Sequence, residues 1–138
     1  MFKLYSKGCE YTLHALSCIP LKDADKKLTA KSLCKLAKIP EAFTRKMLQQ
    51  LSQAGFLKAV RGPGGGYRLA RDPKRISVLS IIEAVDGDGV FDQCVMGLPR
   101  CGDHKPCVIH DSWKKMKKVL LKELRVKSLF DLMKTNQL

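Results

Sequence analysis

Two short alternating runs joined by a glycine-rich turn constrain this chain more than any other feature. Phe56-Leu57-Lys58-Ala59-Val60-Arg61 has the period of a strand, and Tyr67-Arg68-Leu69 returns as a second strand. Between them, Gly62-Pro63-Gly64-Gly65-Gly66 can only be a turn. A glycine-rich turn can also cradle nucleotide phosphates. That use needs a lysine–hydroxyl ending and a strand-to-helix context, and neither is present here.

What precedes the hairpin gives it meaning. Thr29 suits an N-cap for a short helix through Ala37, with Leu33 and Leu36 expected to face inward. A turn at Lys38-Ile39-Pro40 leads to a second helix with the apolar stripe Phe43, Met47, Leu48 and Leu51, stopped at Gly55. Two short helices, a tight turn and a basic second helix form a helix-turn-helix candidate. A hairpin with an arginine-flanked tip directly after it reads as a wing.

The remaining segments frame that unit. Residues 9–19 carry apolar groups at helical spacing, and Pro20 to Leu28 reads as a polar loop. Ser77 can cap a helix from Val78 to Val85 that ends at Asp86-Gly87. A long helix begins near Val108, with Trp113, Met116, Leu120 and Leu124 recurring at three- or four-residue steps and lysines elsewhere around it. Such a stripe is most simply covered by a second copy of the chain. Ser128 to Met133 looks like a short closing helix. The expected fold is mainly α with one small β-hairpin. It comprises a winged helix-turn-helix at 1–87, a cysteine loop at 88–107, and a dimerisation helix with its closing helix at 108–138.

The loop carries the chemistry. Cys94, Cys101, Cys107 and His110 lie within seventeen residues, broken by Gly97, Pro99, Gly102 and Pro106 that let the chain curl. Soft sulfur donors select iron–sulfur clusters, zinc or copper(I) over hard cations. The N-terminus is too polar for a secretory signal, which implies a cytoplasmic address and reduced thiols. That favours a metal centre over a disulfide loop. Cys107 and His110 could also be read as a nucleophile and base, but no oxyanion motif or third orienting group accompanies them, so no enzyme is expected.

Charge points to the partner. The chain has 26 Lys plus Arg against 13 Asp plus Glu, a net charge of +13. Residues 29–75 hold eleven basic residues against Glu41 and Asp72, a net +9. Such a surplus calls for a polyanion, with nucleic acid ahead of a membrane surface. No apolar run is long enough to span a bilayer.

In the order of these parts the chain resembles the Rrf2 family of bacterial transcription regulators, of the IscR/NsrR type that carries iron–sulfur clusters. The most specific likeness lies in Arg61-Gly62-Pro63-Gly64-Gly65-Gly66-Tyr67-Arg68-Leu69 and in Ile81-Ile82-Glu83-Ala84-Val85-Asp86-Gly87, with Leu4-Tyr5-Ser6-Lys7-Gly8 resembling the family's N-terminus. The resemblance implies a homodimer on palindromic double-stranded DNA operators, without membrane association. It also implies a 2Fe–2S or 4Fe–4S cluster on Cys94, Cys101 and Cys107. The first gap holds six residues where the family pattern has five. The fourth ligand is then His110, which matches a C-x-x-H ending, or Glu10 on the first helix, with His14 behind them.

The expected function is a cluster-sensing regulator of repressor sense. Arg45 and Lys46 lie early on the recognition helix, where arginine pairs well with guanine, and Thr44 and Gln49 are neutral candidates for DNA contact. Lys31, Arg61, Arg68 and the tip Gly62, Pro63, Gly64 and Gly65 are expected on the backbone or in the minor groove. The competing reading keeps the winged helix and makes the loop a structural zinc site.

Overall fold

The computed structural model describes residues 4–23, 26–92, 96 and 106–137. Its elements are α1 (Lys7–Ser17), α2 (Ala30–Ala37), α3 (Glu41–Gln53), β1 (Leu57–Val60), β2 (Gly66–Leu69), α4 (Val78–Asp86), α5 (His110–Val126) and α6 (Leu129–Gln137). The fold is the expected one, mainly α with one antiparallel hairpin.

Local chemistry explains the boundaries of α2 and α3. Thr29 accepts the Ser32 amide at 3.0 Å, and the Ser32 hydroxyl accepts the Thr29 amide at 3.1 Å, so two orphan donors are satisfied reciprocally. Lys38 ends α2 in the left-handed region at φ 56, which turns the chain sharply toward Pro40 and α3. Gly55, at φ 87, ends α3. The buried residues of α3 are Thr44, Met47, Leu48 and Leu51, spaced i, i+3, i+4 and i+7. In α2 they are Leu33 and Ala37, so Leu36 does not face inward as expected; it is half exposed, one step off the buried stripe.

The hairpin pairs Leu57 with Leu69 and Val60 with Gly66. It has a third member, from the stretch whose polar sequence predicts a loop. Leu28 exchanges two backbone hydrogen bonds with Tyr67, at 2.5 and 2.7 Å, forming a one-residue strand beside β2. One leucine carries no alternation, so nothing local announces it. Gly66 makes the approach possible, because a Cβ there would collide with the Leu28 carbonyl oxygen.

One core joins all six α-helices among the described residues. Leu16, Ile19, Leu33, Leu48, Leu51, Ile81, Ile82, Leu129 and Met133 are among its fully buried members, each contributing about 1.5–3 kcal/mol by burial. The closing helix α6 joins this core from the far end of the chain. That helix packs on α1, and its Gln137 amide donates to the carbonyls of Ser17 (3.1 Å) and Ile19 (2.6 Å). Lys127 and Ile76 carbonyls accept the Val78 and Leu129 amides at 2.9 and 2.7 Å, sealing α6 to the segment before α4.

The long helix α5 packs along α4. Trp113 is buried within its own chain, Leu120 and Leu124 are partly covered by the core, and Met116 is 63% exposed. Val119 and Val126, at 65% and 68%, extend an uncovered apolar arc from Met116 along the helix. No helix among the described residues is long and apolar enough to cross a membrane.

Candidate nucleic-acid interface and metal centre

Residue by residue, α3 sorts itself between core and solvent. Arg45, Lys46 and Gln49 are exposed. The Arg45 guanidinium is 2.7 Å from the Glu41 carboxylate one turn earlier, an exposed pair contributing about 0.3–0.5 kcal/mol and easily exchanged for a phosphate or base. Thr44 is not available. It is fully buried and its hydroxyl donates to the Pro40 carbonyl at 2.9 Å, so the expectation of a DNA contact there is corrected. Its place at the head of the i, i+3, i+4, i+7 stripe was the signal to read.

The wing presents Arg61, Gly62, Pro63, Gly64 and Arg68 to solvent, with Gly65 partly covered. Gly62 and Gly64 sit at φ 103 and 69, where a side chain is strained. Lys31 is exposed on the first turn of α2. A further cation joins this face from outside the motif. Lys27 immediately precedes the one-residue strand, and its ammonium lies 3.1 Å from the position a Cβ would take on Gly64. Nothing local in the sequence marks Lys27, because only the Leu28–Tyr67 pairing brings it to the wing.

The candidate metal ligands fall only partly among the described residues. Cys94 and Cys101, with Gly97, Pro99 and Gly102, lie outside the described residues. Cys107 is a half-buried free thiol preceding α5, and its carbonyl accepts the His110 amide at 3.1 Å. His110 is buried as the first residue of α5. Among the described residues, no three His, Cys, Asp or Glu side chains gather in a site that could hold a metal. The donor set is what fits: three thiolates with a nitrogen or oxygen donor suit an iron–sulfur cluster or zinc.

The α1 candidates divide. His14 Nε2 is 3.0 Å from the Ala37 carbonyl, tying α1 to the end of α2. Glu10 is half-buried in the first turn of α1, its carboxylate 3.3 Å from the Lys7 ammonium. Beside it, Cys9 is fully buried, and its thiol is pushed up to about 12 by burial first, then by the Asp86 and Glu10 carboxylates. Cys9 therefore stays protonated as part of the core. Both carboxylates are near enough to act on Cys9, and Asp86 is the last residue of α4.

A helix-turn-helix with a basic exposed second helix, followed by an arginine-flanked hairpin, defines a winged-helix protein of the transcription-regulator class. Residues 5–135 match the Rrf2 family model, described as an iron-dependent transcriptional regulator, and the chain belongs to that family. IscR of Vibrio campbellii, an HTH-type transcriptional regulator, is 30% identical over 135 residues, covering 98% of this chain and 79% of that protein. An HTH-type transcriptional regulator from Aquifex aeolicus is 30% identical over 116 residues, 83% of this chain and 80% of that protein.

Solved structures agree on the fold. The IscR of T. potens superposes with a TM-score of 0.73 at 26% identity, covering 96% of this chain and 87% of that one. CymR, the global cysteine regulator of B. subtilis, superposes with a TM-score of 0.76 at 22% identity and 98% coverage of both chains. The protein is a transcriptional regulator, not an enzyme.

Proposed function

We propose that this regulator binds a two-fold symmetric DNA operator as a homodimer and acts as a repressor. Its operator affinity is set by an iron–sulfur cluster held by Cys94, Cys101 and Cys107. The observation that carries the reading is the position of Cys107, a half-buried free thiol that ends a three-cysteine segment and enters α5. Glu10 or His110 completes the donor set. A bound cluster supplies oxidation, nitrosylation and ligand-loss chemistry at a site whose protein donors include one that is not sulfur.

The chain's own residues do the rest. Arg45, Lys46 and Gln49 face base edges, and Arg61, Arg68, Lys31 and Lys27 meet phosphates or the minor groove. Met116, Val119 and Val126, with the partly covered Leu120 and Leu124, meet the same surface of a second copy. That pairing supplies the two recognition helices a palindrome requires.

The test is anaerobic isolation followed by an absorption spectrum, counts of iron, sulfide and zinc, and selection from random duplex DNA. Iron with labile sulfide and an enriched palindrome is the expected outcome. Colourless, zinc-only protein would establish the structural zinc reading instead. Glu10→Ala and His110→Ala then separate the fourth donors, since only the true ligand alters the spectrum of loaded protein.

A further inference from the structure

One acid stands among the cations of the recognition helix, and its carboxylate is committed to one of them. Residues 29–75 hold eleven basic residues and two acidic ones, Glu41 and Asp72. Asp72 has a backbone task, since its carboxylate accepts the Lys74 amide at 2.9 Å in the turn that follows β2. Glu41 is the first residue of α3, and its Oε1 accepts from Arg45 Nη2 at 2.7 Å. Glu41 is 47% exposed and Arg45 67%, so their pairing adds little to folding. A carboxylate suits the positive end of α3, but that preference asks only for a charge there and not for a bond to Arg45. Pro40, the cap of α3, supplies no side-chain acceptor. The open amides of the first turn and the Arg45 cation therefore draw anions to the same place, and Glu41 opposes them.

The chemistry of the pair decides which DNA groups Arg45 can serve. A guanidinium carries five N–H donors in a planar fork. The contact at Nη2 tethers that fork and leaves donors for a base edge. Guanine presents two neutral acceptors, N7 and O6, which can bond the tethered fork with the carboxylate still in place. A phosphate that takes Nη2 displaces the carboxylate and then lies beside its charge. That exchange is easy but gains little.

We propose that Glu41 is a positioning residue that sets specificity, by holding Arg45 for a base edge and discouraging its use on the phosphate backbone. It weakens binding to any duplex, and it weakens binding to unrelated duplexes most. This rests on the reading of Arg45 as a base contact and adds what keeps it from the backbone.

A double-mutant cycle on the anaerobically isolated full chain tests it. Kd is measured for a duplex enriched by selection from random DNA and for its scrambled form, with unmodified protein, Glu41→Gln, Arg45→Ala and the double variant. Glu41→Gln tightens binding to the scrambled duplex. It lowers the ratio of scrambled to selected Kd by about fivefold or more, the low end of the discrimination carried by one bidentate base contact. The slope of log affinity against log salt on scrambled DNA steepens by about 0.9, for one added phosphate contact. In the Arg45→Ala background, Glu41→Gln changes the ratio by less than about twofold, the additivity limit of such cycles. An unchanged ratio in Glu41→Gln, with Arg45→Ala lowering it, overturns the role of Glu41 and leaves the base contact intact. The same fall with and without Arg45 also overturns that role, because Glu41 then acts independently of it. Undiminished discrimination in Arg45→Ala, or a selection that enriches no duplex, overturns both.

Discussion

The segment from Leu28 to Arg71 and the segment from Pro106 to Val126 are both amphipathic additions to one core, and they are finished to different degrees. In the first, α3 buries Met47, Leu48 and Leu51 and half-buries Phe43, Leu28 edges β2, and Arg71 lies over the Phe56 ring at 4.9 Å. Its exposed side is left polar and cationic. In the second, α5 buries Trp113 and His110, yet leaves Met116, Val119 and Val126 in solvent, and a half-buried free thiol, Cys107, precedes it. A surface with cations and no apolar patch suits a polyanion that comes and goes. An uncovered apolar arc is the kind of surface that the proposed second copy would cover.

The largest test of that contrast is removal of one thiolate. Cys107→Ala abolishes visible absorption and retention of iron and sulfide in anaerobically isolated protein, while the far-ultraviolet dichroism of the winged helix persists. Next comes the apolar arc. Met116→Glu combined with Val119→Glu converts dimer to monomer by sedimentation. Both residues are exposed within the chain, so each shifts monomer stability by no more than about 0.5 kcal/mol.

Leu48→Ala strikes the finished segment instead. It costs about 2–5 kcal/mol in urea unfolding, because a fully buried side chain of α3 leaves a cavity. Lys46→Ala costs about 1–3 kcal/mol of discrimination between operator and scrambled duplex, if a base contact is lost. The smallest change is the most specific to geometry. Lys27→Ala lowers the slope of log affinity against log salt by about 0.9 without altering base preference. The exposed Lys118 of α5 serves as the control, and its removal leaves the slope unchanged.

Much of this protein is legible one residue at a time. The capping pair at Thr29, the stop at Gly55, the strand period on both sides of the glycine turn and the stripes of α3 and α5 are interactions within about one helical turn or one hairpin. Their signals lie in adjacent sequence and survive any tertiary context. The cysteine spacing and the charge excess over residues 29–75 are likewise properties of the chain itself, and the proposed function rests on both.

The tertiary structure decided what depends on distant neighbours. Thr44 lies on α3 beside the cationic Arg45 and looks equally polar, yet one faces the core and the other solvent, because α2 and α4 cover only one side of the helix. Leu36 is left outside for the same reason, and Trp113 is covered by its own chain because α4 lies against α5. Leu28 becomes a strand only because Gly66 lets it reach Tyr67. The Ser6 amide donates to the Asp86 carboxylate eighty positions away, and α6 closes on α1 across more than a hundred. Contacts at such separations leave no periodic trace, since each is set by how whole elements pack and not by the residues beside it.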